Sequence, residues 1–289
     1  MNKLTLIIPA YNEEGSLSEY LNSVVTFCES KGYKLIVVND GSADGTQKVL
    51  EKFSSHPCLT VLRNKVNKGY GGAIKAAVAL ADTPYCITID ADGQHDLGDV
   101  EKLYNEISTS DADMVIGKRD AGGSYYRSAG KSMIRSVAKL LMPLHIHDLN
   151  SGMKIYNTAL AKQYLHLCPD SMAYSDVIAL VFISQRHLVK EVPISIRKRI
   201  SGTSTINTLT AFETLKQILN IVVLFNPMRI FFPLSVFCLF ISVAWGIPIV
   251  LMGRGVSVGS LLGIVAALMF FFFGLIAEQL SSIRKSNIK

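Results

Sequence analysis

The chain has 289 residues, 49% of them hydrophobic, and a formal net charge of +6 at pH 7. Its length accommodates one large domain or two modest ones. The positive charge suits contact with anionic lipid headgroups, but no Lys/Arg run interleaved with aromatic residues indicates a nucleic-acid partner. Five scattered cysteines without a CxxC pair predict neither a disulfide framework nor a zinc site.

The N-terminal part alternates apolar, strand-like runs with helical stretches, which predicts a mainly parallel sheet with helices on both faces. The predicted strands are residues 4–8, 35–38, 59–62, 85–89 and 114–116. Polar clusters follow four of them, at residues 9–14, 39–42, 64–72 and 90–96. Ligands bind at the carboxyl ends of such strands, so the pattern predicts a site along that edge of the sheet.

The cluster after the fourth strand reads TIDADGQHD, residues 88–96. Counted from Asp90, the residues Asp92, Gln94 and Glu101 come close to positions 3, 5 and 12 of a helix-loop-helix calcium site. That loop needs glycine at its sixth position, where this chain has His95, and an entering helix, where this chain has a predicted strand. The calcium-loop interpretation is therefore disfavoured.

A glycine-rich stretch, NKGYGG, occupies residues 67–72 and matches neither GxGxxG nor the phosphate loop ending in GK[ST]. Two interpretations stay open. The stretch is a tight turn into a helix, or it is a helix N-terminus that offers backbone N–H groups and Lys68 to an anion.

Beyond residue 119 the alternation weakens. Residues 127–142 predict a basic amphipathic helix, which is either a solvated charged face or a phosphate contact near a membrane. A strand is predicted at residues 153–156. Asp176 stands alone at the start of an apolar helix, where a carboxylate interacts favourably with the helix dipole.

Two uncharged runs, residues 230–253 and 255–277, are each long enough to cross a bilayer as a helix. An apolar helical face before them predicts an interfacial helix over residues 205–228, after a cytosolic domain of residues 1–204 and before a hairpin of residues 229–289. Cations flank the outer ends of the hairpin, whereas Arg254 is alone in its connection, so both termini are expected in the cytoplasm. The first residues are not expected to form a signal peptide, because their apolar run is short and is interrupted by Pro9, Asn12 and Glu13.

The set of motifs resembles glycosyltransferase family 2, with its nucleotide-sugar-binding GT-A fold, and within it the branch that uses polyprenyl-phosphate acceptors. The resemblance covers about residues 3–205. Its motifs are IIPAYNEE, VVNDGSADGT, NKGYGGA, TIDADGQHD, GKR, DLNSG and EVPI with the following arginine, glycine and serine.

The resemblance implies roles for individual residues. Those that hold the nucleotide are Pro9, Ala10, Tyr11, Glu13, Asp40, Lys68 and Gly69. Those of the metal-binding DxD motif are Asp90, Ala91 and Asp92, with Gln94 as a further metal ligand. Those facing the donor diphosphate or the acceptor phosphate are Arg119, Arg127 and Arg199. Where many relatives have G-x-S-K, this chain has Gly-Thr-Ser-Thr at residues 202–205, so one phosphate-contacting lysine is missing.

The chemistry asks for these residue types. A hard cation, Mg²⁺ or Mn²⁺, held by oxygen ligands neutralises a nucleoside diphosphate leaving group. A lipid phosphate, with a second pKa of about 6, is ionised near neutrality, so a general base is optional. Asp176 is therefore either catalytic, as the residue at the position of the family's base, or it orients a basic residue or caps the helix.

We expect an inverting transfer of one sugar from a nucleotide-sugar donor to a polyprenyl phosphate at the cytoplasmic face of a membrane, with the bacterial inner membrane favoured. A processive polysaccharide synthase is disfavoured because the sole tryptophan, Trp245, lies inside a predicted span, outside any Q-x-x-R-W motif. A non-catalytic sugar-nucleotide-binding membrane module is a third alternative. UDP- and GDP-hexoses both stay open, with UDP-sugars favoured, and the short hairpin favours self-association.

Overall fold

The computed structural model describes residues 3–119, 146–197, 219, 222–223 and 226–286. Its strands are β1 (Leu4–Ala10), β2 (Lys34–Asp40), β3 (Leu59–Asn64), β4 (Tyr85–Thr88), β5 (Met114–Arg119), β6 (Lys154–Asn157) and β7 (Val189–Ile194). Its helices are α1 (Glu14–Lys31), α2 (Thr46–Glu51), α3 (Tyr70–Leu80), α4 (Leu97–Ser110), α5 (Thr158–Tyr164), α6 (Tyr174–Ser184), α7 (Met228–Leu251) and α8 (Val258–Ser286), with a 3-10 turn at Leu165–Leu167.

The seven strands form one sheet in the order β3-β2-β1-β4-β6-β5-β7. Every pairing is parallel except those of β6, which runs antiparallel to β4 and β5. All seven residues of β1 are buried, because helices cover both faces of the sheet and a strand in that position must be apolar on both sides. The predicted mainly parallel α/β sheet is confirmed.

The antiparallel direction of β6 matters for the site. Thr88 at the end of β4 pairs with Lys154 at the start of β6. The residues just before β6, including Gly152, therefore lie at the same edge of the sheet as the residues just after β4. A parallel strand in this place would have put them at the opposite edge.

The β7 strand was not predicted, and it extends the chain back to the same edge. Its last residue, Ile194, pairs with Arg119 at the end of β5. Beyond it, Ile196 forms an antiparallel bridge with His95 in the loop after β4. The segment after β7 is thus attached to the polar cluster TIDADGQHD.

The described residues fall into two compact units, the α/β unit and a second that contains α7 and α8. Both helices are long and apolar enough to cross a membrane, and they are candidate spans. Within their unit, the Ser235 hydroxyl donates to the Ala267 carbonyl at 2.8 Å and the Ser260 hydroxyl to the Ser242 carbonyl at 2.6 Å.

Several predicted features fall largely or wholly outside the described residues. These are the basic helix over residues 127–142, the interfacial helix over residues 205–228 and the boundary between residues 204 and 205. They stay predictions.

Candidate active site

The strand register brings the predicted polar clusters together. Ala10 pairs with Asn39, and Asp40 pairs with Asn64, so β1, β2 and β3 end side by side. Ile89, directly after β4, donates its N–H to the Ile7 carbonyl of β1 at 3.0 Å. The carboxyl ends of four parallel strands therefore form one continuous edge.

The first two loops on this edge are joined by reciprocal hydrogen bonds. The Asn12 N–H donates to Ser42 Oγ at 3.0 Å, and the Asn12 side-chain oxygen accepts from the Ala43 N–H at 2.9 Å. Glu14 accepts from the Gly45 N–H at 2.9 Å. These contacts hold the loop that contains the AYNEE motif against the loop that contains the DGSADGT motif, which explains why the two motifs occur together.

Four predicted nucleotide-binding residues lie at the end of β1 or directly after it. Pro9 and Ala10 are buried in the strand, whereas the Tyr11 side chain is 48% exposed. The Glu13 carboxylate accepts a hydrogen bond from Ser16 Oγ at 2.8 Å, inside the first turn of α1. Of these side chains, Tyr11 offers the largest accessible surface to a ligand.

Asp40, predicted to hold the nucleotide, is buried and holds the loop after β3. Its carboxylate accepts from the N–H groups of Lys68, at 3.0 and 3.1 Å, and Gly69, at 2.8 Å. Asn64 Nδ2 donates to it at 2.6 Å. The Asp40 carboxylate thus already accepts from three donors, and its first physical role is to fix Lys68 and Gly69 at the edge. A ligand that contacts Asp40 must share the carboxylate with these donors.

The glycine-rich stretch serves close backbone packing. A Cβ at Gly69 would lie 2.4 Å from the Asp170 carbonyl oxygen, and one at Gly71 would lie 2.3 Å from that of Pro169. The Gly72 N–H donates to Asp170 O at 3.1 Å. The N–H groups of Gly69 and Gly72 are thus occupied within the protein, which favours the tight-turn interpretation over an anion site.

Asp90 is held from three sides. Tyr70 donates its hydroxyl to Oδ1 at 3.1 Å, and His95 Nε2 lies 3.3 Å from Oδ2, so a proton on Nε2 completes a second bond. A Cβ on Gly152 would lie 2.3 Å from Oδ2. Burial opposes ionisation, but the bonds from His95 and Tyr70 outweigh it and hold the pKa of Asp90 below its ordinary value.

Gln94 is oriented by the segment after β7. Its Nε2 donates to the Arg197 carbonyl at 3.3 Å, and the Arg197 N–H donates to Gln94 O at 2.9 Å. A carbonyl only accepts, so the nitrogen end of the amide must face Arg197, which leaves the oxygen as the end available to a cation. The Gln94 N–H in turn donates to Asp92 Oδ1 at 3.1 Å.

The donor set of Asp90, Asp92 and Gln94 fits a hard divalent cation. Two carboxylates and one amide oxygen are few ligands, and Mg²⁺ is commonly bound by one or two carboxylates together with substrate phosphates and water. No group of three or more His, Cys, Asp or Glu side chains suited to a metal occurs in the described part of the chain. The fit therefore depends on a diphosphate that supplies further oxygens.

The remaining polar residues of TIDADGQHD begin the next helix. Asp96 is the N-cap of α4 and accepts from the Gly98 N–H at 2.7 Å, and it also forms an ion pair with Arg197. Glu101 lies within α4 and accepts from Lys31 Nζ at 2.9 Å and Tyr33 Oη at 2.7 Å. A calcium loop that uses Glu101 is thereby excluded.

Arg119 is paired within the protein. Its Nε and one terminal nitrogen each lie 2.8 Å from the Asp148 carboxylate, and the same terminal nitrogen lies 3.1 Å from Asn150 O. This bidentate contact ties β5 to the turn before β6. Arg127 and Arg199, the other two predicted phosphate-facing residues, lie outside the described residues.

Asp176 is buried in the first turn of α6. It does not cap the helix, because the N-cap residue is Ala173. Burial raises its pKa above the ordinary range, against the opposing effect of the nearby Lys154 ammonium. The remaining roles for Asp176 are a favourable interaction with the dipole of α6, catalysis, and orientation of a neighbouring cation.

Lys154 is a site residue that no motif indicated. Only 1% of it is exposed, and its ammonium donates to Ser151 O and Ser175 Oγ. Burial lowers the pKa of Lys154 to about 8, although Asp176 and Asp148 favour its charged form. The available signal was a lysine inside an apolar strand, GMKIY, where a buried cation requires acidic or polar partners.

The comparisons with known proteins agree with this architecture. Residues 5–174, more than half of the chain, match the family model Glycosyl transferase family 2. The chain belongs to glycosyl transferase family 2. Residues 226–283 match a second family model, GtrB C-terminal hairpin, which covers the two apolar helices.

Two curated relatives of this family 2 chain carry named activities. A dolichyl-phosphate beta-glucosyltransferase of Dictyostelium discoideum is 28% identical over 181 residues, 55% of each chain. An undecaprenyl-phosphate 4-deoxy-4-formamido-L-arabinose transferase of Edwardsiella ictaluri is 28% identical over 207 residues, which is 70% of this chain and 62% of the relative. The chain thus spans less than two-thirds of either relative's length.

Solved structures confirm the GT-A-like fold of this family 2 member. Glucosyl-3-phosphoglycerate synthase of Mycobacterium tuberculosis superposes with a TM-score of 0.61 and 17% identity, over 76% of this chain and 80% of that one. S. aureus TarS 1–349 superposes with a TM-score of 0.52 and 18% identity, over 78% and 73%. At these identities the likeness concerns the fold alone.

Proposed function

We propose that this glycosyltransferase moves a single hexose from a UDP- or GDP-sugar to a polyprenyl phosphate at the cytoplasmic face of a membrane, with inversion at the anomeric carbon. The observation that carries the proposal is the joint presence of Asp90, Asp92 and Gln94 at the sheet edge and of two apolar C-terminal helices in one chain. The two named relatives act on dolichyl phosphate and undecaprenyl phosphate, which supports a lipid phosphate as acceptor.

The bond changes follow from these substrates. A phosphate oxygen of the acceptor attacks the anomeric carbon in line, the bond from that carbon to the nucleoside diphosphate breaks, and the electron pair leaves with the diphosphate. Mg²⁺ or Mn²⁺, when bound, supplies Lewis-acid neutralisation of the leaving group. Asp90, Asp92 and Gln94 would hold it, with Tyr70 and His95 fixing the Asp90 carboxylate.

The other residues of the edge position the reactants. Tyr11 and Lys68 face the donor from the first and third loops, and Arg119, oriented by Asp148, presents its remaining N–H groups to phosphate. Arg127 and Arg199 are proposed contacts for the acceptor phosphate. Because that phosphate is already ionised near neutral pH, chemistry rests on positioning and charge neutralisation, and Asp176 need not remove a proton.

The membrane arrangement follows from charge. Arg229 and Lys216 precede the hairpin and Arg284 and Lys285 follow it, whereas Arg254 is the single cation in the connection. The positive-inside rule then places both ends of the hairpin in the cytoplasm, where nucleotide sugars are supplied. We propose the bacterial inner membrane as its location.

The test uses the full chain in detergent with Mg²⁺, undecaprenyl or dolichyl phosphate, and a panel of labelled UDP- and GDP-sugars. A lipid-linked monosaccharide whose formation stops with EDTA is the expected product. A product that lengthens with time would identify a processive synthase instead. Retained nucleotide binding without turnover of any pair would identify a binding module.

A further inference from the structure

Lys154 contacts two parts of the site edge that come from separate stretches of the sequence. One is the turn before β6, whose Ser151 carbonyl accepts from the ammonium and whose Gly152 packs against the Asp90 carboxylate. The other is the start of α6, whose Ser175 hydroxyl accepts from the same ammonium. The Ser175 hydroxyl also donates to the Ser151 carbonyl at 2.6 Å, so the ammonium completes a three-membered contact between the two parts. Ser175 immediately precedes Asp176, so this contact links the turn beside the proposed metal ligand to the buried acid.

The surroundings of Lys154 are acidic as well as buried. Asp176, Asp148 and Asp90 all favour its charged form, whereas Arg119 opposes it. The ammonium acts on these carboxylates through its field, since its described direct contacts are with Ser151 and Ser175. Acids so close together repel one another, and a buried cation among them reduces that repulsion.

We infer that Lys154 is a positioning residue of the active site: its ammonium fixes the turn at Gly152 and the start of α6 in one arrangement, and so sets where Asp90 and Asp176 stand relative to each other. It does not touch the reacting atoms. Its effect on turnover rests on the proposed function, whereas its coupling to Asp176 does not.

The first measurement is turnover of lipid-linked sugar by the detergent-solubilised full chain carrying Lys154→Met, which keeps length and removes charge and donors. We expect kcat to fall on the order of 100-fold, because a displacement of about 1 Å is enough for that loss, with donor KM changed less than about threefold. The matched control is Lys162→Met, the same substitution at an exposed lysine of α5, which should leave kcat unchanged.

The second measurement is free of activity and separates the two proposals. Thermal unfolding is compared for wild type, Lys154→Met, Asp176→Asn and the double variant. Lys154→Met should lower the Tm less in the Asp176→Asn background than in wild type, by on the order of 5 °C. In wild type the substitution leaves the Asp176 carboxylate without its cation, whereas in the Asp176→Asn background that carboxylate is absent. Lys162→Met should combine additively with Asp176→Asn.

Additive Tm changes for Lys154 and Asp176, or a Lys154→Met protein that folds and turns over like wild type, would overturn the inference. If Lys154→Met does not fold, Ser175→Ala carries the test, because it keeps the charge and removes both an acceptor of the ammonium and the hydroxyl that donates to the Ser151 carbonyl at 2.6 Å. It should lower kcat in the same direction by a smaller factor, and wild-type kcat in Ser175→Ala would overturn the inference. If the wild-type chain has no transferase activity, the proposed function is wrong. The comparison of Tm among wild type, the two single variants and the double variant still tests the inference about Lys154.

Discussion

Gly152 and Asp90 share a space that a larger residue cannot enter, because a Cβ at position 152 would lie 2.3 Å from Asp90 Oδ2 and 2.8 Å from its Cγ. The contact explains why the DLNSG motif ends in glycine at a residue 62 positions away in sequence from the DxD motif. The two motifs meet because β6 runs antiparallel to β4.

Gly152→Ala should therefore displace the Asp90 carboxylate. Outer-shell changes of this kind typically cost 10- to 100-fold in metal affinity, and we expect a loss in that range for Mn²⁺ binding in the presence of UDP, measured by electron paramagnetic resonance. The control is Gly45→Ala, whose Cβ would also meet a carboxylate, at 2.2 Å, but that of the exposed Glu14, which can move away. Equal affinities in both variants would show that Asp90 tolerates displacement.

Tyr70→Phe removes the hydroxyl that donates to Asp90 Oδ1 at 3.1 Å and keeps the ring. With the carboxylate less firmly oriented, Mn²⁺ affinity should fall by about 10-fold while the Tm changes little. Tyr33→Phe is the matched control, since Tyr33 makes the same kind of bond, at 2.7 Å, to Glu101 outside the site. A loss of metal affinity in Tyr33→Phe as large as that in Tyr70→Phe would contradict the assignment.

The buried ammonium of Lys154 predicts a pH dependence of stability. Its pKa is about 8 in the folded chain against an ordinary 10.5, so the unfolded chain binds more protons between these values and stability rises with pH across that window. The rise is at most on the order of 3 kcal/mol. Lys154→Met should lack this rise, which is measured as the difference in Tm between wild type and variant from pH 8 to pH 10.5; a difference that stays constant would refute the assigned pKa.

The packing of the hairpin predicts that two glycines of α8 differ in how well they tolerate a larger side chain. A Cβ at Gly263 would lie 2.0 Å from Ser242 Oγ of α7, whereas one at Gly259 meets only Ser257 Oγ, at 3.7 Å. Gly263→Leu should separate the two helices and lower the thermal stability of the detergent-solubilised chain, while Gly259→Leu should be tolerated. Fluorescence-detected size exclusion after heating measures both, and equal behaviour would contradict the packing.

Much of the α/β unit could be predicted from patterning. The six predicted strands occur where apolar runs were found, and the polar clusters that follow four of them converge on one edge because parallel strands end together. Asp90, Asp92 and Gln94 follow β4 at this edge, and their role as metal ligands stays a prediction. Apolar runs and the polar clusters that follow them were sufficient to predict this part, because both can be recognised within short stretches of adjacent residues.

What patterning could not reveal are contacts between distant residues. The Arg119–Asp148 pair and the attachment of Arg197 to Gln94 depend on β6 and β7 taking their places in the sheet, and the Asp40 anchor for Lys68 depends on the pairing of β2 with β3. No alternation of apolar residues encodes strand order. The place of Lys154 at the site could not be predicted for the same reason, because its partners come from the turn before β6 and from α6.

The central claim is a single transfer of sugar to a polyprenyl phosphate that depends on the DxD acids. The most direct measurement is mass spectrometry of the lipid product made by the purified full chain from undecaprenyl phosphate, Mg²⁺ and each nucleotide hexose in turn. We predict polyprenyl phosphate carrying one hexose, with no product from an Asp92→Asn variant that has the same Tm. Longer glycans, or undiminished product from Asp92→Asn, would contradict the account.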